Sequence, residues 1–289
     1  MARPAVSVVM ATFNRAHLLE RSLHAYATQY FPLSAMELVV VDDHSTDDTQ
    51  KMLRKWSAEK CIPVQIVMPC PKDAEWRDCG AVINHGIRVS RGNYVIMTHP
   101  EVIPGKKSIG AFVDTLRTTE YRYDYGAYAC SKVYYLTQQN QKDLALIDWE
   151  NRGTNWVEHL PNFFEEDGQS DESNDYSHAS TRRVATDGFR IQQWESWVFG
   201  GMTRGSMYRL GGMLETKQWG SVDVAFMNRR KLLGIPTITS TDLLSSVVHQ
   251  NHDGPGNVPT PRVEQAWKEE LRGITFSKEQ MQYPAVDNL

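Results

Sequence analysis

Val6-Ser7-Val8-Val9-Met10 is a short β-branched apolar run of the kind buried on both faces of a parallel sheet. It stops at a polar turn, Ala11-Thr12-Phe13-Asn14-Arg15. Beyond it Leu18, Leu19, Ser22, Leu23, Tyr26 and Tyr30 recur at three- and four-residue steps and predict an amphipathic helix. The pattern then repeats. Glu37-Leu38-Val39-Val40-Val41 predicts a second buried strand, ending at Asp42-Asp43-His44-Ser45-Thr46-Asp47-Asp48-Thr49, whose Ser and Asp side chains can cap a helix carrying Met52, Leu53 and Trp56 on one face. A third strand is expected at Val64-Gln65-Ile66-Val67, a helix over 80–89, and a fourth strand over 94–97 that ends at Thr98-His99-Pro100-Glu101.

Repeated β-α units of this length imply a right-handed, mostly parallel sheet flanked by helices, an α/β domain. Ligands of such sheets bind where loops leave the carboxyl ends of the strands. The polar strand ends at Thr12 to Arg15, Asp42 to Asp48 and His99 to Glu101 should therefore converge on one cleft. After about residue 115 the alternation fades. Residues 150–180 are rich in Asn, Asp, Glu, Ser and Gly, too polar to pack as core, and read as an exposed acidic insertion or lid. No internal repeat is evident.

Composition narrows the function only a little. The chain of 289 residues carries a formal net charge of -4, which offers no basic surface for a nucleic acid. Cys61, Cys70, Cys79 and Cys130 have neither C-x-x-C nor zinc-type spacing, as separate thiols in a reducing compartment would. A strand beginning at Val6 leaves no room for a signal peptide, and no apolar run approaches the roughly 18 residues that span a bilayer. A cytoplasmic protein is expected, with peripheral association at the inner face of a membrane left open.

Three segments, 6–15, 39–49, and Gly211-Gly212-Met213-Leu214-Glu215 followed by Trp219-Gly220-Ser221-Val222-Asp223, resemble the family 2 glycosyltransferases, inverting enzymes of the GT-A fold. The similarity runs over roughly residues 5 to 253. It implies a single Rossmann-like domain with an acidic loop insertion: residues 1–115 as the nucleotide-sugar-binding half, 116–257 as the acceptor-binding and catalytic half, and 258–289 as a C-terminal tail.

The resemblance also assigns roles. Ala11, Thr12 and Phe13 correspond to the turn under the nucleotide base, and Asp43, the second of the Asp pair, to the carboxylate that accepts from base or ribose. Arg77 stands where the family keeps a cationic or polar contact to the nucleotide, and Asn84 could hold the loop. His99-Pro100-Glu101 occupies the place of the family's Asp-x-Asp motif. Glu101 aligns with its metal-binding carboxylate, and His99, in place of the first Asp, is assigned to the nucleotide sugar, with contact to ribose or an indirect role at the metal as the alternatives. His249, with His252 in reserve, is the candidate second ligand of a divalent cation, Mn²⁺ or Mg²⁺.

In Trp219-Gly220-Ser221-Val222-Asp223 the family's general base is kept as Asp223, while Val222 replaces the usual Glu. Trp219, with Trp194 and Glu195, is the candidate acceptor-binding set. The expected function is transfer of a sugar, with inversion, from a nucleotide sugar, by default a UDP-sugar, to a hydroxyl on a glycan, a lipid-linked intermediate or a protein. Its main rival is a non-catalytic nucleotide-sugar-binding protein with a degenerate metal motif. A nucleotidyltransferase fits less well, because Thr12-Phe13-Asn14-Arg15 lacks a Gly-rich basic loop.

Overall fold

The computed structural model describes residues 3–59, 64–67, 79–120, 122–135, 138–149, 189–191, 198–213, 215, 222–240 and 242–250. The apolar runs become β1 (Val6–Thr12), β2 (Met36–Asp42), β3 (Val64–Val67) and β4 (Tyr94–Thr98), in parallel register with β1 at the middle. Both faces of β1 and β2 are covered, by α1 (Ala16–Ala27) and α2 (Thr49–Glu59) on one side and α3 (Cys79–Val89) on the other. This is why these strands read as continuous apolar runs rather than as alternation.

Beyond β4 the sheet changes character. β9 (Phe199–Thr203) lies antiparallel between β4 and β6 (Tyr128–Ser131), and β10 (Thr237–Ser240) and β8 (Phe189–Ile191) complete an eight-stranded order β3-β2-β1-β4-β9-β6-β10-β8. The sheet is mixed, parallel in its amino-terminal half and interrupted by β9. Gly200 and Gly201 let β9 fit there, since a Cβ on Gly201 would stand 1.8 Å from the Val95 carbonyl oxygen and one on Gly200 would meet the Tyr128 ring.

A second, three-stranded sheet sits at the carboxyl end of β4. There β11 (Val247–His249) pairs with β5 (Val102–Pro104) and with β7 (Val133–Tyr135). The carboxyl half also contributes α4 (Ser108–Thr119), α5 (Gln138–Ala145), α6 (Arg204–Leu210) and α7 (Val222–Leu232). The GT-A arrangement expected from the sequence is present, as a single domain around one continuous main sheet.

Two local expectations are corrected. β1 runs on through Ala11 and Thr12, because both pair with β2 as far as Asp42. Tyr30 is not on the buried face of α1 and is 67% exposed. The helix stops at Ala27 because the Gln29 side chain bonds Gly105 and Ile109, and the Tyr30 amide donates to the Lys106 carbonyl, drawing the chain away. The acidic 150–180 segment and the 258–289 tail lie outside the described residues.

A candidate donor and cation site

The carboxyl ends of β1 and β2 are joined to each other. Thr12 stands opposite Asp42, and the Asp43 amide donates to the Thr12 carbonyl at 2.9 Å. Asp42 is fully buried and accepts from the Ser45 amide, so one carboxylate of the pair shapes the loop. Asp43, 7% exposed, sits at its mouth beside Thr12 and the half-exposed Phe13.

The two loops are clipped together. Asn14, at φ 52°, takes the left-handed conformation that Asn tolerates and accepts from the Thr46 and Asp47 amides. The Asp47 carboxylate in turn accepts from Ala16 and Thr49. Partial burial opposes its charge, but these hydrogen bonds together outweigh that penalty and hold its pKa below the usual carboxylate value.

One strand away, β4 leaves the sheet just past the Met10–Thr98 pair and enters the turn His99-Pro100-Glu101. All three carbonyls of that turn have named donors. Val102 N bonds His99 O at 3.2 Å, Ser22 Oγ bonds Pro100 O at 2.6 Å, and the Gln250 amide and Nε2 bond Glu101 O at 3.1 and 3.2 Å. A turn so fully satisfied has few alternative backbone conformations, which fixes the directions of its Cα–Cβ bonds.

The same pairing brings in His249. In the second sheet His249 stands directly opposite Val102, the residue after Glu101. Its Nε2 lies 3.6 Å from Glu101 Oε1, and His99 Nδ1 lies 3.2 Å from that same oxygen. One donor atom each from His99, Glu101 and His249 falls within 4.8 Å of the others. Glu101 is 6% exposed. A buried carboxylate flanked by imidazole nitrogens at such spacing is a donor set that fits a divalent cation.

Gln250, fully buried, ties this corner to α1 and was not singled out from the sequence. It accepts from Arg21 at 2.9 Å and donates to Leu18 O at 3.1 Å. Burial pulls the Arg21 guanidinium below its ordinary pKa, against the charge of Glu20. The position of Gln250 immediately after His249 was the available signal, and Ser22, polar on an apolar helix face, was another.

Further along the chain, α6 is capped by the Thr203 side chain and closes on Gly211 at φ 81°. Asn84 on α3 then grips the next loop. Its amide oxygen accepts from Met213 N at 2.7 Å and its nitrogen donates to Met213 O and to Glu215 at 2.8 Å each. Asp223 lies in the first turn of α7, half-buried. Val222 beside it is 2% exposed and packs with Met213 and Phe226, so the position that carries Glu in the resembling family is here part of the core. Arg77, Trp194, Glu195, Trp219 and His252 lie outside the described residues.

Residues 7–180 match the family model described as Glycosyl transferase family 2. The chain belongs to this family. Among curated relatives of this glycosyl transferase, the validoxylamine A glucosyltransferase of Streptomyces hygroscopicus subsp. jinggangensis is 47% identical over 53 residues, which is 18% of this chain and 13% of that protein. Glycosyltransferase AglE of Haloferax volcanii is 26% identical over 150 residues, 48% of this chain and 47% of that protein. The chain spans about half the length of AglE and less of the others.

Solved structures align more broadly. The mannosyltransferase PcManGT of Pyrobaculum calidifontis, in complex with GDP-Man and Mn²⁺, matches with TM-score 0.54 at 19% identity, covering 93% of this chain and 61% of that one. S. aureus TarS 1-349 in complex with UDP-GlcNAc matches with TM-score 0.56 at 16% identity, covering 86% and 59%. At these identities the likeness is one of fold. No helix among the described residues of this family 2 glycosyl transferase is long and apolar enough to cross a membrane.

Proposed function

We propose that this glycosyl transferase moves a sugar from a UDP-sugar to an acceptor hydroxyl with inversion, in a reaction dependent on a divalent cation. The observation that carries the reading is the meeting of Glu101 and His249 one strand away from the Thr12–Asp43 mouth. A nucleotide whose base lies over Ala11, Thr12 and Phe13 would present its ring N–H to Asp43, an acceptor-only group that suits uracil. Arg77 would meet the diphosphate, and Trp194, Glu195 and Trp219 the acceptor. A cation on Glu101 and His249, Mn²⁺ or Mg²⁺, would supply Lewis-acid neutralisation of the diphosphate charge. A nucleotide-sugar donor accords with the UDP-GlcNAc and GDP-Man of the structures of like fold.

The chemistry asked of the chain is one displacement. Asp223 takes the proton of the acceptor hydroxyl, whose oxygen bonds the anomeric carbon as the bond to the diphosphate breaks. The leaving electron pair stays on the phosphate oxygen, and the anomeric configuration inverts. An alcohol needs such a base, and general-base help is worth about 10²–10⁴-fold. The acceptor class is a glycan, a lipid-linked intermediate or a protein.

The reading is tested with a panel of UDP-, dTDP- and GDP-sugars, with Mn²⁺, with Mg²⁺ and with chelator. Release of one nucleoside diphosphate, lost with chelator and in Glu101→Ala, is expected. Asp223→Asn should keep donor affinity and lose transfer by about 10² or more. Tight donor binding without turnover under any cation or acceptor extract would favour a nucleotide-sugar-binding protein instead.

A further inference from the structure

The family pattern places an Asp where this chain has His99, for which contact with ribose and an indirect role at the metal are the two alternatives. The structure sets the His99 ring beside the Glu101 carboxylate. Its Nδ1 is 3.2 Å from Glu101 Oε1, the same oxygen that His249 Nε2 approaches at 3.6 Å. We propose that His99 is a direct third protein ligand of the cation site, and that the resulting set of two imidazoles and one carboxylate selects Mn²⁺, or another borderline first-row cation such as Co²⁺, over Mg²⁺. The proposal rests on the reading of Glu101 and His249 as a cation site.

Distance tests whether the three groups can share one ion. Ligands about 2.1 Å from one ion stand about 3.0 Å apart at right angles and about 3.4 Å apart at tetrahedral angles. The separation of 3.2 Å falls in that range and that of 3.6 Å just above it, and with all three donor atoms within 4.8 Å of one another a shared ion needs the two imidazoles no more than about 4.2 Å apart. His99 and Glu101 at 3.2 Å are also within hydrogen-bonding reach, whereas 3.6 Å is too long for a hydrogen bond between His249 and Glu101. The His99 backbone has little freedom to move. It is two residues from Glu101 in a turn whose three carbonyls are all bonded, from α1, from Gln250 and from within the turn itself.

The donor types then decide the ion. Mg²⁺ is hard, binds oxygen and dehydrates reluctantly, so a site offering one carboxylate and two nitrogens serves it poorly. Borderline first-row cations accept imidazole, and two imidazoles with one carboxylate leave positions open, here for the oxygens of a diphosphate. The exchange of Asp for His at 99 thus changes which metal the site takes, and it does so with a residue of this chain that the family pattern gives to the sugar nucleotide.

The test reads the metal rather than turnover. Untagged protein of all 289 residues, freed of metal with chelator, is titrated calorimetrically with MnCl₂, CoCl₂ and MgCl₂ as wild type, His99→Asn and His99→Asp, each checked for folding by far-UV circular dichroism. Pulsed EPR of the Mn²⁺-loaded protein counts coordinated imidazole nitrogens without requiring any variant. Wild type should bind Mn²⁺ and Co²⁺ at least tenfold more tightly than Mg²⁺ and show ¹⁴N couplings from two imidazoles. His99→Asn should lose roughly 10–100-fold or more of Mn²⁺ affinity, the loss known for removing even an outer-shell partner, together with one set of couplings. His99→Asp should narrow the preference over Mg²⁺. A single imidazole in wild type, with Mn²⁺ affinity unchanged in His99→Asn, would overturn the proposal and leave the Glu101–His249 site standing. No cation binding by wild type, with or without UDP, would remove that site and the proposal with it.

Discussion

At the scale of single residues, the candidate site is held in place by groups outside its own donor set. Gln250 closes hydrogen bonds to Arg21, Leu18 and Glu101 from a fully buried position. Its loss leaves buried partners unsatisfied, at a cost of about 1–3 kcal/mol. It also loosens the link that holds His249 against Glu101, so Gln250 acts as a positioning residue. Gln250→Ala should weaken Mn²⁺ binding about tenfold or more, the scale of outer-shell losses, while nucleotide affinity measured with chelator present stays near wild type. A merely structural role would lower the melting temperature and move both affinities together. Val222 makes a complementary point: its burial beside Phe226 shows that the departure from the family's Trp-Gly-x-Glu-Asp motif is absorbed by packing, which leaves Asp223 in the first turn of its helix.

At the scale of elements, the most consequential contact is between α3 and the loop after α6. Asn84 satisfies both the amide and the carbonyl of Met213 and reaches Glu215, which Arg88 also approaches at 3.3 Å. The loop turns sharply there, with Gly212 at φ 64° and no room for a Cβ against the Asn84 oxygen. Asn84→Ala should destabilise the protein by about 2–3 kcal/mol, from two orphaned backbone groups, as read from denaturant midpoints. If this loop sets the approach to Asp223, kcat should fall while donor affinity holds; an unchanged kcat in folded protein would detach the loop from catalysis.

At the scale of the whole molecule, the candidate cation site joins parts of the chain far apart in sequence, because Glu101 leaves the main sheet and His249 arrives through the second one. Mn²⁺ and UDP together should therefore stabilise the entire fold rather than one half. Ligand at a hundredfold excess over Kd contributes about 2.7 kcal/mol, which for a chain of this size is a rise of about 5 °C or more in melting temperature. Scanning calorimetry should show one transition that moves upward with both ligands and returns with chelator. Two transitions, only one of them shifted, would contradict this.

The amino-terminal half was legible in the sequence because strands buried on both faces leave continuous apolar runs, and the helices between them keep a three-to-four periodicity; β1 to β4 and α1 to α3 appear where those patterns lie. The polar strand ends were legible for the same reason, since only a functional or loop role explains Asp42-Asp43 or His99-Pro100-Glu101 at the edge of a core. The carboxyl half was less so. Its strands are three to five residues long, partly antiparallel, and pair with partners distant in the chain, so no local period marks them. Sequence alone determined the fold class, and it supplied the polar strand ends at Thr12–Arg15 and Asp42–Asp48, with Glu101 and His249 as candidate ligands through the family resemblance. Only the tertiary structure decided that His99 faces the same carboxylate oxygen and that Gln250 locks the corner, because register across the second sheet and packing of α1 against the turn are long-range facts that no neighbouring residue encodes.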